Sequence, residues 1–112
     1  MSDDALLDLE RIIKERRKSS SSDNSYTKQL LDAGLDRCAK KFGEEAIETV
    51  IAAVHQSDED FRKEVADLLY HLLVLLEARS LSIKDVLSVL ERRKEISGLT
   101  EKASRALKTF KS

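Results

Sequence analysis

The chain contains no proline and only three glycines among its 112 residues, so little in it interrupts long helices. Leucine, glutamate, lysine, arginine and alanine are prominent, and all of them favour helices. Aromatic residues make up only 4% of the chain, which leaves a β-sheet short of the side chains that stabilise it. We therefore predict an all-α protein, and the length predicts one domain over residues 1–112.

Charge and cysteine content exclude several classes of function and of site. The formal net charge is −1 although 37% of the residues are charged, so no single-sign excess supports binding to nucleic acid or to a membrane surface. Cys38 is the only cysteine, which excludes an intramolecular disulfide and a cysteine-based zinc site. The acidic N-terminal sequence does not resemble a signal peptide, and the apolar run Leu68–Leu76 is too short to span a bilayer. We expect a cytoplasmic location.

Hydrophobic periodicity and capping residues predict the order of the helices. The predicted helices run over about Asp3–Arg17, from a cap at Ser25 or Thr27 to Gly34, and over about Asp36–His55, Glu59–Arg79 and Ile83–Ser97. A polar, serine-rich segment, Ser19–Ser25, separates the first two helices. Residues 100–112 form a basic, weakly amphipathic tail.

Two consecutive predicted helices each carry a pair of acidic residues one turn apart. Glu45 and Glu48 lie beside an apolar arc, whereas Glu64 and Asp67 precede the longest apolar run. A short turn joins these helices, so they should pack antiparallel and bring the pairs level near one end of the hairpin. Carboxylates that converge in a partly desolvated site repel one another unless a cation lies between them. A site with oxygen ligands alone favours Mg²⁺ or Mn²⁺. The competing interpretation is two solvated helix faces.

Three other residues near these acids each allow two interpretations. His71 shares a helix stripe with the second acid pair, and it is either a hydrogen-bonded core histidine or a phosphate contact. Lys41 either pairs with a neighbouring glutamate or contacts phosphate. Gly43 interrupts a predicted helix, which indicates either close approach of another group or a tolerated glycine.

Four segments carry a resemblance to a known family. They are "SYTKQLL" (Ser25–Leu31), "KKFGEEAIETVIAA" (Lys40–Ala53), "EVADLLYHLLVLL" (Glu64–Leu76) and "VLERR" (Val89–Arg93). In this order and spacing they resemble the phosphoribosyl-ATP pyrophosphatases of histidine biosynthesis over nearly the whole chain. The Glu-x-x-Glu and Glu-x-x-Asp core is also similar to that of the wider MazG-like all-α nucleotide pyrophosphohydrolases. Asn24, where the family often has glycine, and Phe42, where it usually has a smaller aliphatic residue, depart from the pattern.

The resemblance implies a fold, an activity and an assembly. The fold would be a MazG-like antiparallel helical hairpin, completed into a bundle by homodimerisation. The activity would be hydrolysis of phosphoribosyl-ATP to phosphoribosyl-AMP and pyrophosphate, the second step of histidine biosynthesis, by Mg²⁺-assisted attack of water between the α- and β-phosphates. Many members of the family carry a fused cyclohydrolase domain that this sequence lacks, so a separate enzyme would catalyse the next step.

The resemblance also implies roles for individual residues. The expected Mg²⁺ ligands, which could also hold Mn²⁺, are Glu45, Glu48, Glu64 and Asp67. The candidates for accepting the proton of the attacking water are Glu44 and Glu48. The expected substrate-binding residues are Lys41, Tyr26, Thr27, His71 and Arg92, with Arg16 and Arg17 as further phosphate contacts.

Three other functions compete with this one. A house-cleaning pyrophosphohydrolase of the MazG or dUTPase type would use the same acids on free nucleoside triphosphates. A di-iron carboxylate bundle usually needs two Glu-x-x-His pairs, and the chain contains none. A non-catalytic helical dimerisation module would leave the acids as solvated faces.

Overall fold

The computed structural model describes residues 4–18, 25–94 and 105, and its regular structure within those residues is entirely helical. The helices are α1 (Ala5–Arg17), α2 (Tyr26–Ala33), α3 (Leu35–His55), α4 (Asp58–Ala78) and α5 (Ile83–Lys94). This confirms the predicted all-α class and the predicted order of helices. The serine-rich loop with Asn24, the end of the last helix near Ser97 and the basic tail lie outside the described residues, apart from Ser25 and Arg105.

Side-chain caps and one glycine define where the helices begin. The Ser25 hydroxyl accepts a hydrogen bond from the Lys28 amide at 3.1 Å, and the Ser57 hydroxyl accepts one from the Asp60 amide at 3.2 Å. Gly34 separates α2 from α3 with a φ of 100°, a conformation that strains residues with a Cβ. Local sequence therefore determines these three boundaries.

Helices α3 and α4 form the central hairpin. Only Gln56 and Ser57 separate them, so they pack antiparallel along their length, and α1 and α2 pack against the hairpin. The buried apolar core is formed by Ile13, Leu30, Cys38, Leu73, Val74 and Ile83. The apolar run of α4 thus supplies the centre of the core, which explains why the sequence concentrates its leucines there.

A buried carboxylate attaches α1 to the end of α4. Glu77 is 7% exposed and accepts a hydrogen bond from Lys14 at 2.8 Å and one from Arg17 at 3.1 Å. Arg17 also donates to the Glu77 carbonyl oxygen at 2.9 Å. Burial alone would raise the pKa of Glu77, but the hydrogen bonds and charges of Lys14 and Arg17 outweigh it and lower that pKa.

A second buried carboxylate attaches α1 to the start of α5. Glu10 is 8% exposed, and its carboxylate accepts hydrogen bonds from the Ile83 amide at 2.6 Å and the Ser82 hydroxyl at 2.9 Å. Glu10 thereby satisfies a backbone donor that has no partner within α5 itself. The two buried glutamates on α1 and α4 therefore orient α1 across the hairpin.

One exposed apolar surface lies mainly on α3. Its side chains are those of Ile47, Val50, Ile51 and Val54, and Leu69 of α4 is also exposed. The apolar run Leu68–Leu76 of α4 leaves only Leu69 exposed, because α1, α2 and α3 all pack on α4 and cover most of its apolar side chains. None of the described helices combines the length and apolar character needed to cross a membrane.

Candidate active site

Three carboxylates converge where the middle of α3 meets the first half of α4. Glu45 and Glu48 of α3 and Glu64 of α4 each place a carboxylate oxygen within 4.8 Å of the others. The antiparallel hairpin produces this meeting, because a residue about ten positions before the turn faces one at a similar distance after it. We call these three residues the carboxylate cluster.

One oxygen of the carboxylate cluster lacks a partner. Glu64 Oε2 is buried and has no hydrogen-bond partner among the described residues. Burying a charged oxygen in this way costs several kcal/mol unless a cation or a proton compensates it. The donor set consists of carboxylate oxygens alone, which suits Mg²⁺ or Mn²⁺ and does not suit zinc. The residues present therefore fit the divalent cation that the sequence predicted.

The electrostatics of Glu45 also reflect crowding of negative charge. This side chain is 8% exposed, and burial raises its pKa. The charge and hydrogen bond of Glu48 raise the pKa further, and the charge of Asp67 adds to them. Lys41, whose Nζ lies 3.9 Å from Glu45 Oε1, opposes these effects only in part. A bound cation would relieve the repulsion that the lysine leaves.

Asp67 and Glu44 border the carboxylate cluster without belonging to it. Asp67 is exposed on α4, and its charge acts on both Glu45 and His71. Glu44 is exposed on α3 and lies 3.6 Å from Lys41 Nζ. The structure thus brings together three of the four predicted metal ligands and leaves the fourth at the edge of the same region.

Thr49 holds the two helices in register beside the carboxylate cluster. Its hydroxyl donates to the Glu45 carbonyl oxygen at 2.7 Å and also approaches the Glu64 carbonyl oxygen at 3.3 Å. The sequence analysis missed this residue. The available signal was a threonine four residues after Glu45, a spacing at which the hydroxyl commonly bonds back to its own helix.

A group of aromatic residues adjoins the carboxylate cluster. His71 is 6% exposed, and its Nε2 lies 4.0 Å from Glu45 Oε1. The rings of Tyr26 and Tyr70 pack around this imidazole. The Tyr70 hydroxyl shares a short hydrogen bond with the buried Thr27 hydroxyl. Tyr26, Thr27 and His71, which were predicted from two separate segments to bind substrate, therefore lie together with Tyr70.

The protonation of His71 bears on the two interpretations of this residue. Burial lowers its pKa, the charge of Lys41 lowers it further, and Asp67 and Glu44 oppose them. The imidazole is therefore mainly neutral at pH 7, so its contact with Glu45 is not an ion pair. Burial and ring contacts agree with a core position for His71, but no hydrogen bond of the imidazole is seen among the described residues. Its role as a phosphate contact stays a prediction.

The predicted arginines lie in different places. Arg17 is bound to Glu77 and thus has a structural role. The charge of Arg16 acts on Tyr70, which places Arg16 on the side of the aromatic group. Arg92 is exposed on α5, a helix that packs mainly against α1, and none of the contacts described for it reaches the acids. Its role in substrate binding stays a prediction.

Gly43 has open space around it within the chain. A Cβ placed on this glycine would meet no atom within 4 Å in the described part of the chain outside its own helix backbone. The structure of the single chain therefore favours a tolerated glycine over close approach of a neighbouring segment.

Comparison with known proteins identifies the family. A family model described as phosphoribosyl-ATP pyrophosphohydrolase matches residues 6–94, which span parts of all five helices. The phosphoribosyl-ATP pyrophosphatase of Agrobacterium fabrum is 50% identical over 105 residues, covering 94% of this chain and 97% of that protein. Phosphoribosyl-ATP pyrophosphatase 1 of Bradyrhizobium diazoefficiens is 53% identical over 91 residues, covering 81% and 86%. The phosphoribosyl-ATP pyrophosphatase of Dinoroseobacter shibae is 52% identical over 89 residues, covering 80% and 87%.

These matches confirm the resemblance read from the sequence and the predicted MazG-like all-α fold class. They extend over both acid pairs and the Ser-Tyr-Thr segment that carried the resemblance. The chain belongs to the phosphoribosyl-ATP pyrophosphohydrolase family.

Proposed function

We propose that this chain hydrolyses phosphoribosyl-ATP to phosphoribosyl-AMP and pyrophosphate, the second step of histidine biosynthesis. The observation that carries the proposal is the carboxylate cluster, with its buried and unpartnered Glu64 oxygen, in a member of this family. Relatives that cover most of the chain are named phosphoribosyl-ATP pyrophosphatase. Since the substrate is an intracellular nucleotide, a cytoplasmic location belongs to the same proposal.

The cation-binding part of the proposal assigns four carboxylates. Glu45, Glu48, Glu64 and Asp67 would hold Mg²⁺, or Mn²⁺ in its place, at the junction of α3 and α4. When bound, the cation neutralises phosphate charge and lowers the pKa of a coordinated water. Asp67 is exposed at the edge of the carboxylate cluster, so its carboxylate can reach a cation that the three acids of the cluster bind.

The catalytic part of the proposal concerns the water that attacks the phosphoanhydride. Glu44 and Glu48 are both exposed, and either could accept the proton of that water. Glu44 is favoured because Glu48 already directs an oxygen at the other two acids of the cluster. Lys41, now 3.6 Å from Glu44, lies where its ammonium group could contact a phosphate oxygen.

The assembly part of the proposal is a homodimer. The exposed apolar surface of α3, together with Leu69, resembles the inner face of a helical bundle more than a solvated surface. Covering this surface with the same surface of a second copy would join two hairpins into one bundle. Removing these side chains from water would contribute roughly 25 cal/mol per Å² of apolar area, before the entropy lost on association is subtracted.

Pyrophosphate release from phosphoribosyl-ATP tests the proposal. The assay compares this substrate with ATP and dUTP, with and without Mg²⁺, for the wild type and Asp67→Asn. We expect Mg²⁺-dependent release from phosphoribosyl-ATP alone, reduced at least 100-fold in the folded variant. Release from ATP or dUTP instead would assign the chain to the house-cleaning class. No release from any of the three would leave a helical assembly without this activity.

A further inference from the structure

Tyr26, Tyr70 and His71 form a three-sided aromatic group beside the carboxylate cluster. The two tyrosine rings lie within 21° of parallel, with their centroids 6.5 Å apart. The His71 ring stands nearly perpendicular to both, 4.9 Å from Tyr70 and 6.1 Å from Tyr26. The faces of such rings, which carry the negative part of the ring quadrupole, are the usual receptors for organic cations.

Tyr26 is the most accessible member of this group. It is 50% exposed, whereas Tyr70 is half-buried and His71 is buried. The residues on either side hold its backbone, since Ser25 caps α2 and Thr27 is buried against Tyr70. An exposed ring on a fixed backbone contributes little to the core, but it offers a preorganised surface for a planar ligand.

The position of the aromatic group relates it to the carboxylates. The imidazole of His71 neighbours both groups, since its Nε2 lies 4.0 Å from the Glu45 carboxylate and its ring centroid lies 6.1 Å from that of Tyr26. A nucleotide whose phosphates lie at the carboxylates extends its ribose and base away from them. The Tyr26 ring, on the other side of this His71 contact and half exposed, offers an accessible surface for a planar base.

The chemistry of phosphoribosyl-ATP makes such a ring selective. This nucleotide differs from ATP by a second ribose on N1 of the adenine. Substitution at N1 makes the purine a much stronger base, so it is protonated and cationic at neutral pH, whereas the adenine of ATP is neutral. The faces of aromatic rings attract cations in addition to the stacking that any base provides.

We propose that Tyr26 stacks on the N1-ribosylated adenine of the substrate and that the positive charge of this base makes the site prefer phosphoribosyl-ATP to ATP. Tyr70 and His71 position the Tyr26 ring and extend the aromatic surface. The inference rests on the proposed function and assigns a specificity-determining residue within it. The neutral adenine of ATP would stack on the Tyr26 ring without the additional attraction between a cation and the ring face.

Equilibrium binding and kinetics together test this inference. Calorimetry measures the binding of N1-methyl-AMP, which carries the cationic base, and of AMP, to the Mg²⁺-loaded protein at pH 7. The variants are Tyr26→Phe, which keeps the ring face, and Tyr26→Leu, which keeps an apolar side chain without it. We expect wild type and Tyr26→Phe to bind N1-methyl-AMP about 5- to 10-fold more tightly than AMP. In Tyr26→Leu this ratio should fall to about one.

Measurement of kcat and KM separates a loss of substrate selectivity from a general disturbance of the active site. Tyr26→Leu should lower kcat/KM for phosphoribosyl-ATP about 10-fold, mainly through KM, and Tyr26→Phe should lower it less because it keeps the ring face. A purely structural role would weaken both ligands equally and lower kcat. Thermal unfolding of each variant shows that it is folded.

An unchanged binding ratio in folded Tyr26→Leu overturns the inference even where phosphoribosyl-ATP hydrolysis is normal. A wild type that prefers AMP, or binds both ligands equally, overturns it as well. Calorimetry needs no turnover, so a failure of the proposed function, seen as absent pyrophosphate release by wild type, is distinguished from a failure of Tyr26 to select the base.

Discussion

Glu64 of α4 places a carboxylate oxygen within 4.8 Å of one from Glu45 of α3, across the interface of the central hairpin. Neither residue is on the open surface, since Glu45 is buried and Glu64 is half-buried with one oxygen fully enclosed. Two carboxylates at this separation destabilise the hairpin while both are charged and no cation lies between them. The loss of stability caused by this repulsion can be measured by thermal unfolding.

Glu64→Gln should abolish stabilisation by Mg²⁺. We expect Mg²⁺ at 100 times its Kd to stabilise the wild type by about 2.7 kcal/mol, which raises the unfolding temperature by several degrees. The variant should show no such rise. In EDTA it should be at least as stable as the wild type, because one repelling charge is gone. Thermal unfolding in EDTA and in Mg²⁺ measures both effects.

Glu59→Gln is the matched control for that experiment. Glu59 lies on the same helix with a side chain that is 77% exposed, and its ion pair among the described residues is with exposed Lys63. Its variant should keep the full Mg²⁺ effect. If Glu64→Gln also keeps that effect, the cation binds elsewhere.

Gly43→Ala should stabilise the protein by up to about 1 kcal/mol, because alanine favours a helix interior and the added Cβ meets nothing within 4 Å. Urea unfolding measures the change in the free energy of unfolding. Pyrophosphate release should be unchanged. A folded but inactive Gly43→Ala protein would mean that substrate or a second subunit approaches this backbone.

Glu77→Gln should destabilise the protein in a pH-dependent way. The ion pairs with Lys14 and Arg17 lower the folded-state pKa of Glu77 below its usual value of 4.5. A lowered carboxyl pKa contributes stability above the unfolded pKa, and that contribution is lost as the pH falls through the folded pKa. The variant should lose about 1–2 kcal/mol at pH 7, and this loss should shrink progressively as the pH falls below 4.5.

Urea unfolding of Glu77→Gln at pH 7 and pH 3 checks that sign. Glu15→Gln serves as the control, because Glu15 pairs with Arg11 in an exposed i,i+4 arrangement with side chains more than 60% accessible. Its effect should stay within about 0.5 kcal/mol at both pH values. A loss for Glu77→Gln that grows as the pH falls from 7 to 3 would contradict the ion-pair explanation.

Val50→Lys should weaken the proposed homodimer. Val50 is 64% exposed in the single chain and lies in the apolar surface of α3, where a charge would have to lose its hydration on association. We expect a shift from dimer to monomer in light scattering with helical content retained by circular dichroism. Ala33→Lys, on an exposed position of α2, should leave the assembly unchanged. A wild type that is monomeric at all concentrations would contradict the assembly.

Much of this site could be predicted from local sequence. Glu45 and Glu48 lie one turn apart because helices repeat every 3.6 residues. The two-residue turn after α3 makes α4 pack antiparallel to it. Ser25 and Ser57 begin helices because their hydroxyls reach backbone amides three residues ahead. Such contacts depend on spacing within one or two helices, so the pattern of residues is enough to find them.

The tertiary structure decided the rest. Thr27 and Tyr70 are 43 residues apart, and only the packing of α2 against the hairpin brings their hydroxyls together and Tyr26 beside His71. Periodicity likewise predicted apolar faces on α3 and α4, but which face stays exposed depends on where α1 and α2 pack. The sequence alone thus determined the helices, their caps and the acid pairs, because these follow from short-range geometry. Packing between distant segments left the buried Glu64 oxygen without a hydrogen-bond partner among the described residues, and it left the Tyr26 ring accessible.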